Sequence, residues 1–371
     1  MKYKVLYIVS ILKESGPTNQ LYNIINNLDR TTFEPKIITL SPEPPNTLIE
    51  KFVEKNINVE SLNLSRIKGL FLAKKMLLKK IKKFSPDIIH TSGIRADSLL
   101  SNFKEYNVIN TIRNYPLYDY PMKYGKIKGT IAAINHLNVI RNSKNPIACS
   151  KSIAEIFQIK HNIHLKFIQN GINTSIYNSI DKSEKIKIRK KLQISIDKKI
   201  FITVGSLIPR KNIETIIQGY NNSKFNNSML LIAGDGFERE KLKKQIHNNK
   251  SIILLGNVNN VNDYLKASDY FISASKAEGL PNTVLEAMAC GLPCILSNIP
   301  AHKEIFTFSS LSNFLFNTKK IDELSRKIEN IDKCDYKNIS NDSLNIIRNN
   351  FTASLMSKKY QKLYGSIINE K

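Results

Sequence analysis

The sequence predicts an α/β protein built from two doubly wound units, in which each parallel sheet is covered by helices on both faces. Short apolar runs alternate with amphipathic segments, and the alternation starts again after residue 178. Strands that alternate with helices form parallel sheets, because each crossover helix packs on a face of the sheet. The length of 371 residues suits two such units. We place them at residues 1–178 and 179–350.

The strand candidates are short apolar runs bounded by polar or turn-forming residues. In the first unit they are Lys4–Val9, Pro35–Leu40, Val59–Leu64, Asp87–His90, Val108–Thr111, Pro146–Cys149 and Lys166–Ile168. In the second unit they are Ile200–Val204, Met229–Ala233, Ile252–Leu255, Tyr270–Ser273 and Cys294–Ser297. Doubly wound sheets bind ligands at the carboxyl ends of their strands. The two units are therefore expected to turn their ligand crevices toward each other.

The segment Arg66–Phe84 is predicted to be a basic amphipathic helix. It holds eight basic residues and no acidic ones, with Leu70, Ala73, Leu77 and Ile81 at helical spacing before Phe84. One interpretation packs this apolar stripe on the first sheet and leaves the lysines in water. The other is a membrane-bound helix, and the two are compatible, because each lysine near an anionic headgroup layer contributes about 1 kcal/mol.

Composition excludes several classes of protein. The apolar run Val5–Ile11 is too short to span a membrane and lacks a cleavage site, so it is interpreted as the first strand. The cysteines, Cys149, Cys290, Cys294 and Cys334, lack paired CxxC spacing, which argues against zinc and against a disulfide framework. The net charge of +25 indicates an anionic partner surface. A general enrichment in Lys, Asn and Ile is the alternative explanation.

The segment Glu278–Ser297 carries the most informative motif. It sets Glu278 and Glu286 eight positions apart across a helix start. Gly279 to Asn282 form a turn, and the residues after it are mostly good helix formers. A helix N-terminus offers unpaired N–H groups and partial positive charge, which suit a diphosphate. A carboxylate is the usual partner of the vicinal ribose hydroxyls. The motif therefore predicts a nucleotide-diphosphate site.

This stretch resembles the E-x7-E signature of the family-four retaining glycosyltransferases, which have the GT-B fold. The resemblance continues through most of the C-terminal half, at Gly205–Asn212, Ala233–Gly236, Leu255–Val258 and Tyr264–Asp269. Shorter matches in the N-terminal half are Pro86–Ala96, Ala148–Ser152 and Asn170–Asn173. The resemblance implies two Rossmann-like domains that face each other across a cleft, with residues 351–371 packing back on the N-terminal domain. It also implies a role in bacterial capsule, O-antigen or exopolysaccharide biosynthesis.

The resemblance places a nucleoside diphosphate sugar on the C-terminal domain, with no metal and no further cofactor. It gives the ribose to Glu286, the donor sugar to Glu278 and the phosphates to Lys211, six positions after Gly205. The family often has arginine where this chain has Ser206, so Arg210 or Arg113 is expected to supply the missing cation. The expected donor-binding residues are Gly205, Ser206, Arg210, Lys211, Gly234, Asn257, Val258, Glu278, Gly279, Leu280, Pro281, Asn282 and Glu286.

The acceptor side is expected in the N-terminal domain. The loop after the first strand provides Gly16, Pro17 and Thr18, and Gly16 lets the backbone approach a ligand closely. The strand ends provide three further candidates, which are His90, Arg113 and Asn114. Arg113 stands where the family often has histidine, which suggests an anionic group nearby. The expected catalytic set is Glu278, Lys211 and Arg113.

The leading interpretation is a cytoplasmic glycosyltransferase, peripheral on the inner face of the cell membrane. It would move a hexose-type sugar, with retention of configuration, from a nucleoside diphosphate to a glycan acceptor that is lipid-linked. One alternative is a non-catalytic relative that scaffolds a polysaccharide synthase complex, which Ser206 alone supports. Another is a basic nucleic-acid-binding protein, which the charge allows. No recognisable reading module supports it, so no specific nucleic acid is expected.

Overall fold

The computed structural model describes residues 2–101, 103–247, 249–307 and 310–370. The chain divides into unit 1, which is Met1–Gly171 with Ala353–Lys371, and unit 2, which is Ile172–Thr352. These divisions fall a few residues from the expected boundaries at 178 and 350, and residue 371 of the expected tail lies outside the described residues. Each unit holds a parallel sheet between helices, so the predicted α/β class with two doubly wound units is confirmed.

Unit 1 contains a seven-stranded parallel sheet in the order β3-β2-β1-β4-β5-β6-β7. Its strands are β1 (Tyr3–Val9), β2 (Phe33–Thr39), β3 (Asn58–Ser61), β4 (Ile88–Ser92), β5 (Val108–Ile112), β6 (Asn145–Ala148) and β7 (Lys166–Phe167). Its helices up to residue 171 are α1 (Gly16–Asn26), α2 (Ile49–Val53), α3 (Arg66–Phe84), α4 (Ile94–Leu100), α5 (Pro116–Tyr124), α6 (Lys126–Arg141) and α7 (Lys151–His161). All seven predicted strands of this unit are present.

The two faces of this sheet are separated by the alternation of side chains along the strands. On β1, Val5 and Tyr7 join one apolar cluster with α1 and α2, whereas Leu6 and Ile8 join another with α3 and α4. Successive side chains of a strand point to opposite faces, so a continuous apolar run is expected where both faces are covered. The run Val5–Ile8 is fully buried for this reason.

Unit 2 contains a six-stranded parallel sheet in the order β10-β9-β8-β11-β12-β13. Its strands are β8 (Lys199–Val204), β9 (Ser228–Ala233), β10 (Ile252–Gly256), β11 (Tyr270–Ser273), β12 (Cys294–Ser297) and β13 (Leu315–Phe316). Its helices are α8 (Lys182–Lys191), α9 (Ile213–Asn222), α10 (Arg239–Ile246), α11 (Val261–Ala267), α12 (Asn282–Ala289), α13 (Pro300–Phe306), α14 (Ile321–Ile331) and α15 (Tyr336–Asn350), with a 3₁₀ helix at Ser310–Phe314. The two-residue strand β13 was not predicted.

The last helix, α16 (Ala353–Asn369), belongs to unit 1. It packs Met356, Tyr360, Tyr364 and Ile367 into the same apolar cluster as α1. The Tyr360 and Tyr364 hydroxyls reach the polar ends of β4 and β5. The C-terminal helix therefore completes the core of the N-terminal sheet.

The basic helix has the predicted bounds, and its apolar face is as predicted at Ala73, Leu77, Ile81 and the half-buried Phe84, but not at Leu70. Gly69, Ala73, Leu77 and Ile81 are its buried residues. Leu70, expected in the buried stripe, is 79% exposed, so that prediction is wrong. The small residue at position 69 takes the inward place, because the guanidinium of Arg95 fills the space where a Cβ would stand. In the described part of the chain, no helix is both long and apolar enough to span a membrane.

Candidate functional site

Two glycine turns lie side by side at the carboxyl ends of β8 and β9. The Gly205 amide donates to the Ala233 carbonyl, 2.9 Å away, and the Gly234 amide donates to Gly256, 2.7 Å away. A Cβ on Gly234, which has φ of +138°, would stand 2.0 Å from the Gly205 carbonyl oxygen. Only glycine fits this close approach of the two turns. Both turns lie at the carboxyl ends of strands, where α/β sheets bind ligands.

Lys211 and Arg210 follow the first glycine turn and converge on one carboxylate. The Lys211 ammonium lies 2.6 Å from Oε1 of Glu278, and the Arg210 guanidinium lies 2.6 Å from Oε2. Arg210 also donates to the Ala277 carbonyl over 2.7 Å, and the Ser275 hydroxyl donates to Oε1 over 2.7 Å. The Glu278 carboxylate thus holds two cations and a hydroxyl, and its contact with Lys211 joins segments that lie 67 residues apart.

The surroundings of Glu278 keep its carboxylate ionised. Burial alone would raise its pKa, but the charges of Lys211 and Arg210 and the Ser275 hydroxyl outweigh burial and hold the pKa at about 2. The side chain is only 7% exposed, whereas those of Arg210 and Lys211 are 14% and 16% exposed. The cluster therefore carries a net positive charge at any pH in the neutral range, which suits a diphosphate ligand.

Glu286 occupies a different electrostatic environment on α12. Burial raises its pKa to about 7, and this rise is opposed by a hydrogen bond from Tyr177 and by the charge of Lys211. Tyr177 lies six residues after the division between the units, on the segment that enters unit 2. The two carboxylates of one motif therefore have pKa values shifted in opposite directions. A ligand that donates hydrogen bonds to Glu286 would favour its ionised form and change its protonation.

His302, on α13, is linked to the cluster through Ser297 and Ser275. It is fully buried, and its Nδ1 lies 2.8 Å from the Ser297 carbonyl oxygen. Burial lowers its pKa to about 4, with Glu278 and Lys211 among the charges that act on it. The buried ring is therefore neutral at pH 7. The Ser297 hydroxyl also donates to the Ser275 carbonyl over 2.6 Å, which holds the strand end that presents Glu278.

The remaining donor-side candidates lie at the same edge of the unit 2 sheet. Ser206 is exposed in the first turn. Asn257 is exposed and Val258 half-buried, directly after β10. Gly279, Leu280 and Pro281 are buried in the turn before α12, and half-buried Asn282 begins that helix. The structure thus brings the expected donor-side residues to strand ends or to the turns that follow them, except Glu286, which lies within α12.

Sequence reasoning missed two groups at this site, Tyr177 and Ser275. Tyr177 lies more than 100 positions before Glu286, so no local pattern connects the two. Ser275 lies three positions before Glu278 and donates to it. Its hydroxyl could have been proposed from that short spacing, because serine side chains commonly bond polar groups a few positions away.

The acceptor-side candidates all lie in unit 1. Gly16 and Pro17 are exposed at the start of α1, and the buried Thr18 hydroxyl donates to the Lys13 carbonyl over 2.6 Å. Arg113 and Asn114 are half-buried between β5 and α5. Arg113 donates to the Asn170 side chain over 3.0 Å and approaches the Ser92 hydroxyl at 3.4 Å. Arg113 is therefore held by partners within unit 1.

His90, also expected on the acceptor side, lies inside the core of unit 1. It is 3% exposed, with Nδ1 2.7 Å from the Tyr364 hydroxyl and Nε2 2.6 Å from the Thr111 hydroxyl. Burial, assisted by the charge of Arg113, lowers its pKa to about 3. Both ring nitrogens are occupied by partners within unit 1. This placement favours a structural part, in which His90 anchors the C-terminal helix.

Comparisons with known proteins agree with this geometry. Residues 184–350 match the family model described as "Glycosyl transferases group 1". The chain is 27% identical over 375 residues to the O-antigen biosynthesis glycosyltransferase WclY of Escherichia coli, covering 99% of both chains. It is 30% identical over 217 residues to the E. coli UDP-Gal:alpha-D-GlcNAc-diphosphoundecaprenol alpha-1,3-galactosyltransferase, covering 55% of this chain and 54% of that one. The structure of Anabaena HepE in complex with UDP and glucose superposes with a TM-score of 0.81 at 17% identity, covering 98% and 100%.

Proposed function

We propose that the chain is a glycosyltransferase of the GT-B fold in cell-surface polysaccharide synthesis, and that it transfers a hexose-type sugar from a UDP-sugar to a lipid-linked glycan. The observation that carries the donor half of this proposal is the cluster of Arg210, Lys211 and Glu278 beside the two glycine turns. A fixed pair of cations at strand ends, next to a helix start, is the chemistry that a diphosphate requires. Uridine as the base is supported by HepE, which binds UDP.

The ribose is assigned to Glu286. Its carboxylate lies in the second turn of α12, receives one hydrogen bond from Tyr177 and has a raised pKa. Ribose hydroxyls would donate further hydrogen bonds and stabilise the ionised form. The Gly279–Asn282 turn and the first amides of α12 then face the phosphates and the sugar.

Lys211 and Arg210 are assigned to the leaving group. As the bond from the sugar to the β-phosphate breaks, negative charge grows on UDP, and preorganised cations at that point lower the barrier. These cations perform the task that a divalent ion performs elsewhere, so we propose metal-independent catalysis. Glu278, held ionised between the two cations, positions the donor sugar. Retention of configuration is part of the proposal and follows from attack on the face from which UDP departs.

The acceptor is proposed to be carried on a membrane lipid. The E. coli galactosyltransferase similar to this chain acts, by its name, on a diphosphoundecaprenol-linked sugar. The excess of 56 Lys and Arg over 31 Asp and Glu supports a partner surface that is anionic. We therefore propose that the enzyme works in the cytoplasm, at the inner face of the cell membrane.

A donor screen tests this function. The purified protein is titrated with UDP, GDP, ADP and CMP and their common sugars, with thermal unfolding as the readout. A ligand at one hundred times its Kd stabilises the folded state by about 2.7 kcal/mol. We expect UDP to raise the melting temperature of the wild type and to have no effect on Glu286→Ala. Transfer from the selected UDP-sugar to an extracted lipid-linked saccharide, followed by NMR of the new anomeric centre, tests the acceptor and retention. An absence of stabilisation by every nucleotide would contradict the proposal.

A further inference from the structure

The first two turns of α3 are exposed on almost every side. Ile67 is 74% exposed, and Leu70 and Phe71 are each 79% exposed. A soluble helix normally turns its large apolar residues to the core, whereas here Gly69 and Ala73 take the core side. Large side chains therefore project from the surface together, a feature that marks an interaction site.

Lysines surround this projection on the outer side of α3. Lys74, Lys75, Lys79 and Lys82 line a shallow groove whose apolar part is formed by Phe71 and Leu78. The helix carries eight basic residues and no acidic one. Lys80 of this helix pairs with Glu60 of the neighbouring strand β3 over 2.6 Å. The outer side is therefore both apolar and uniformly positive.

A second apolar stripe projects from α6. Ile127, Ile131 and Ile134 are 78%, 55% and 49% exposed and lie on one side of the helix, because they are spaced by four and three residues. The opposite side of α6 is buried through Ala133, Leu137 and Ile140. The segment 122–141 contains no acidic residue, and Lys126 and Lys128 flank the stripe.

Both stripes lie on the same side of unit 1. Ala73 and Leu77 of α3 share an apolar cluster with Ala96 of α4 on one face of the sheet. His136 of α6 reaches Asp97 of α4 over 3.0 Å. Asp97 is fully buried, so it adds no negative charge to the surface. Helix α4 thus contacts both α3 and α6, and the exposed residues Ile67, Leu70, Phe71, Ile127, Ile131 and Ile134 define what we call the α3–α6 surface.

We propose that the α3–α6 surface docks on an anionic lipid bilayer, with its apolar residues inserted among the acyl chains and its lysines against the headgroups. The combination of exposed apolar residues and lysines favours a bilayer over other partners. A second copy of the chain would bring two positive surfaces together, and a nucleic acid would leave the six apolar side chains without an apolar partner. Amphipathic helices with lysines on one side and large apolar residues on the other bind such interfaces.

This inference rests on the proposed function, because a lipid-linked acceptor is met at the membrane. It adds the part of the chain that makes the contact. Docking through α3 and α6 assigns the N-terminal, acceptor-side unit to the membrane surface and leaves nucleotide binding to residues of unit 2.

Vesicle flotation tests the surface. The full chain is mixed with phosphatidylcholine vesicles that contain or lack phosphatidylglycerol, and the bound fraction gives a partition coefficient. We expect binding only to the anionic vesicles. The variant Ile67→Ser/Leu70→Ser/Phe71→Ser is expected to lower the coefficient at least about tenfold, and Ile127→Ser/Ile131→Ser/Ile134→Ser is expected to lower it as well. Lys75→Glu/Lys79→Glu/Lys82→Glu is expected to abolish the preference for anionic lipid.

A matched control removes the same number of exposed aliphatic residues elsewhere. Val53→Ser/Ile196→Ser/Ile253→Ser changes side chains that are 54%, 42% and 36% exposed, and it should bind vesicles like the wild type. UDP-dependent thermal stabilisation, measured on all variants, separates the two proposals: its absence in the wild type with intact vesicle binding would reject the donor assignment alone. Unchanged flotation of the α3 variant would overturn docking. Docking would also be overturned if the protein bound duplex DNA but no vesicles. A wild-type dimer that Ile67→Ser/Leu70→Ser/Phe71→Ser dissociates would overturn it as well.

Discussion

The Lys211 ammonium lies 2.6 Å from Oε1 of Glu278, and this contact connects the segment after the first glycine turn with the E-x7-E segment. The same carboxylate receives Arg210 on its other oxygen. A diphosphate that binds here must share these two cations with Glu278. The cluster is therefore preorganised for an anion, since the cations are already desolvated and held in place.

Removal of Lys211 should affect turnover more than folding. Lys211→Ala leaves Arg210 and Ser275 on Glu278, so the carboxylate keeps two of its partners. We expect turnover of the UDP-sugar to fall about 100-fold to 1000-fold, which is typical when one group that stabilises a developing charge is removed. Lys211→Arg keeps the charge and should recover part of the loss. Steady-state kinetics of the three proteins provide the measurement, and equal turnover in Lys211→Ala and the wild type would refute the role.

Much of the fold could be predicted from local patterns. The five predicted strands of unit 2 are present within two residues, because buried parallel strands are continuous apolar runs. The two-residue strand β13 has no such pattern. Leu70 was assigned to the buried stripe by helical spacing, which cannot show that Arg95 from another helix occupies the space beside Gly69. Spacing gives the inward face of a helix, but which residues of that face are covered depends on its neighbours.

The candidate site divides in the same way. The E-x7-E spacing and the glycine turns identified Glu278, Glu286 and Lys211, because these groups lie in short motifs. The two opposite pKa shifts of the glutamates depend on the cations at one and on burial at the other, which one-dimensional spacing does not show. The environment of His90 also depends on Tyr364, which is 274 residues away along the chain.

Arg210 is the better candidate for the cation missing at Ser206. Its guanidinium forms an ion pair with Glu278 within unit 2, whereas Arg113 donates a hydrogen bond to Asn170 in unit 1. Arg210→Ala should weaken UDP binding about tenfold, which is the effect of a lost charge-assisted hydrogen bond. Arg113→Ala should leave UDP affinity unchanged. Calorimetric titration with UDP measures both.

A rescue variant makes the assignment of Arg210 specific. Ser206 is exposed in the same turn, so Ser206→Arg in the Arg210→Ala background should restore part of the UDP affinity. Ser206→Lys is the matched control, because it restores charge without the planar fork of the guanidinium. A loss of affinity in Arg113→Ala, with none in Arg210→Ala, would exchange the two assignments.

His90 should govern acid stability. Its pKa is about 3 in the folded protein and about 6.5 when unfolded. The unfolded chain therefore binds the extra proton between these values, and stability falls as the pH drops from 6.5 toward 3, by up to about 5 kcal/mol. His90→Gln removes this titration and should melt lower than the wild type at pH 7, yet lose less on acidification. Thermal melts from pH 7 to pH 4 test this, and parallel pH curves for the two proteins would contradict it.

Glu286 should make donor binding dependent on pH. Its pKa is about 7 without ligand, and ribose hydroxyls that donate to the carboxylate favour the ionised form, so binding releases a proton. The affinity for a UDP-sugar should therefore rise about tenfold from pH 6 to pH 8 and level off above the pKa. A UDP-sugar is the proper probe, because its diphosphate has no proton to lose in this range. Titration calorimetry in buffers of different ionisation enthalpy counts the released protons.

The Glu286→Gln protein separates this proton from all others. It should bind the donor more weakly, with no proton release from this position. The same raised pKa makes the ligand-free fold bind more protons than the unfolded chain between pH 4.5 and 7, so ionisation of Glu286 lowers stability by about 3 kcal/mol as the pH rises through that window. Glu286→Gln should therefore melt higher than the wild type at pH 8 without donor and lose that advantage near pH 5. Proton release that persists in the glutamine variant would assign the pH dependence to another group, and ribose recognition by Glu286 would lose its support.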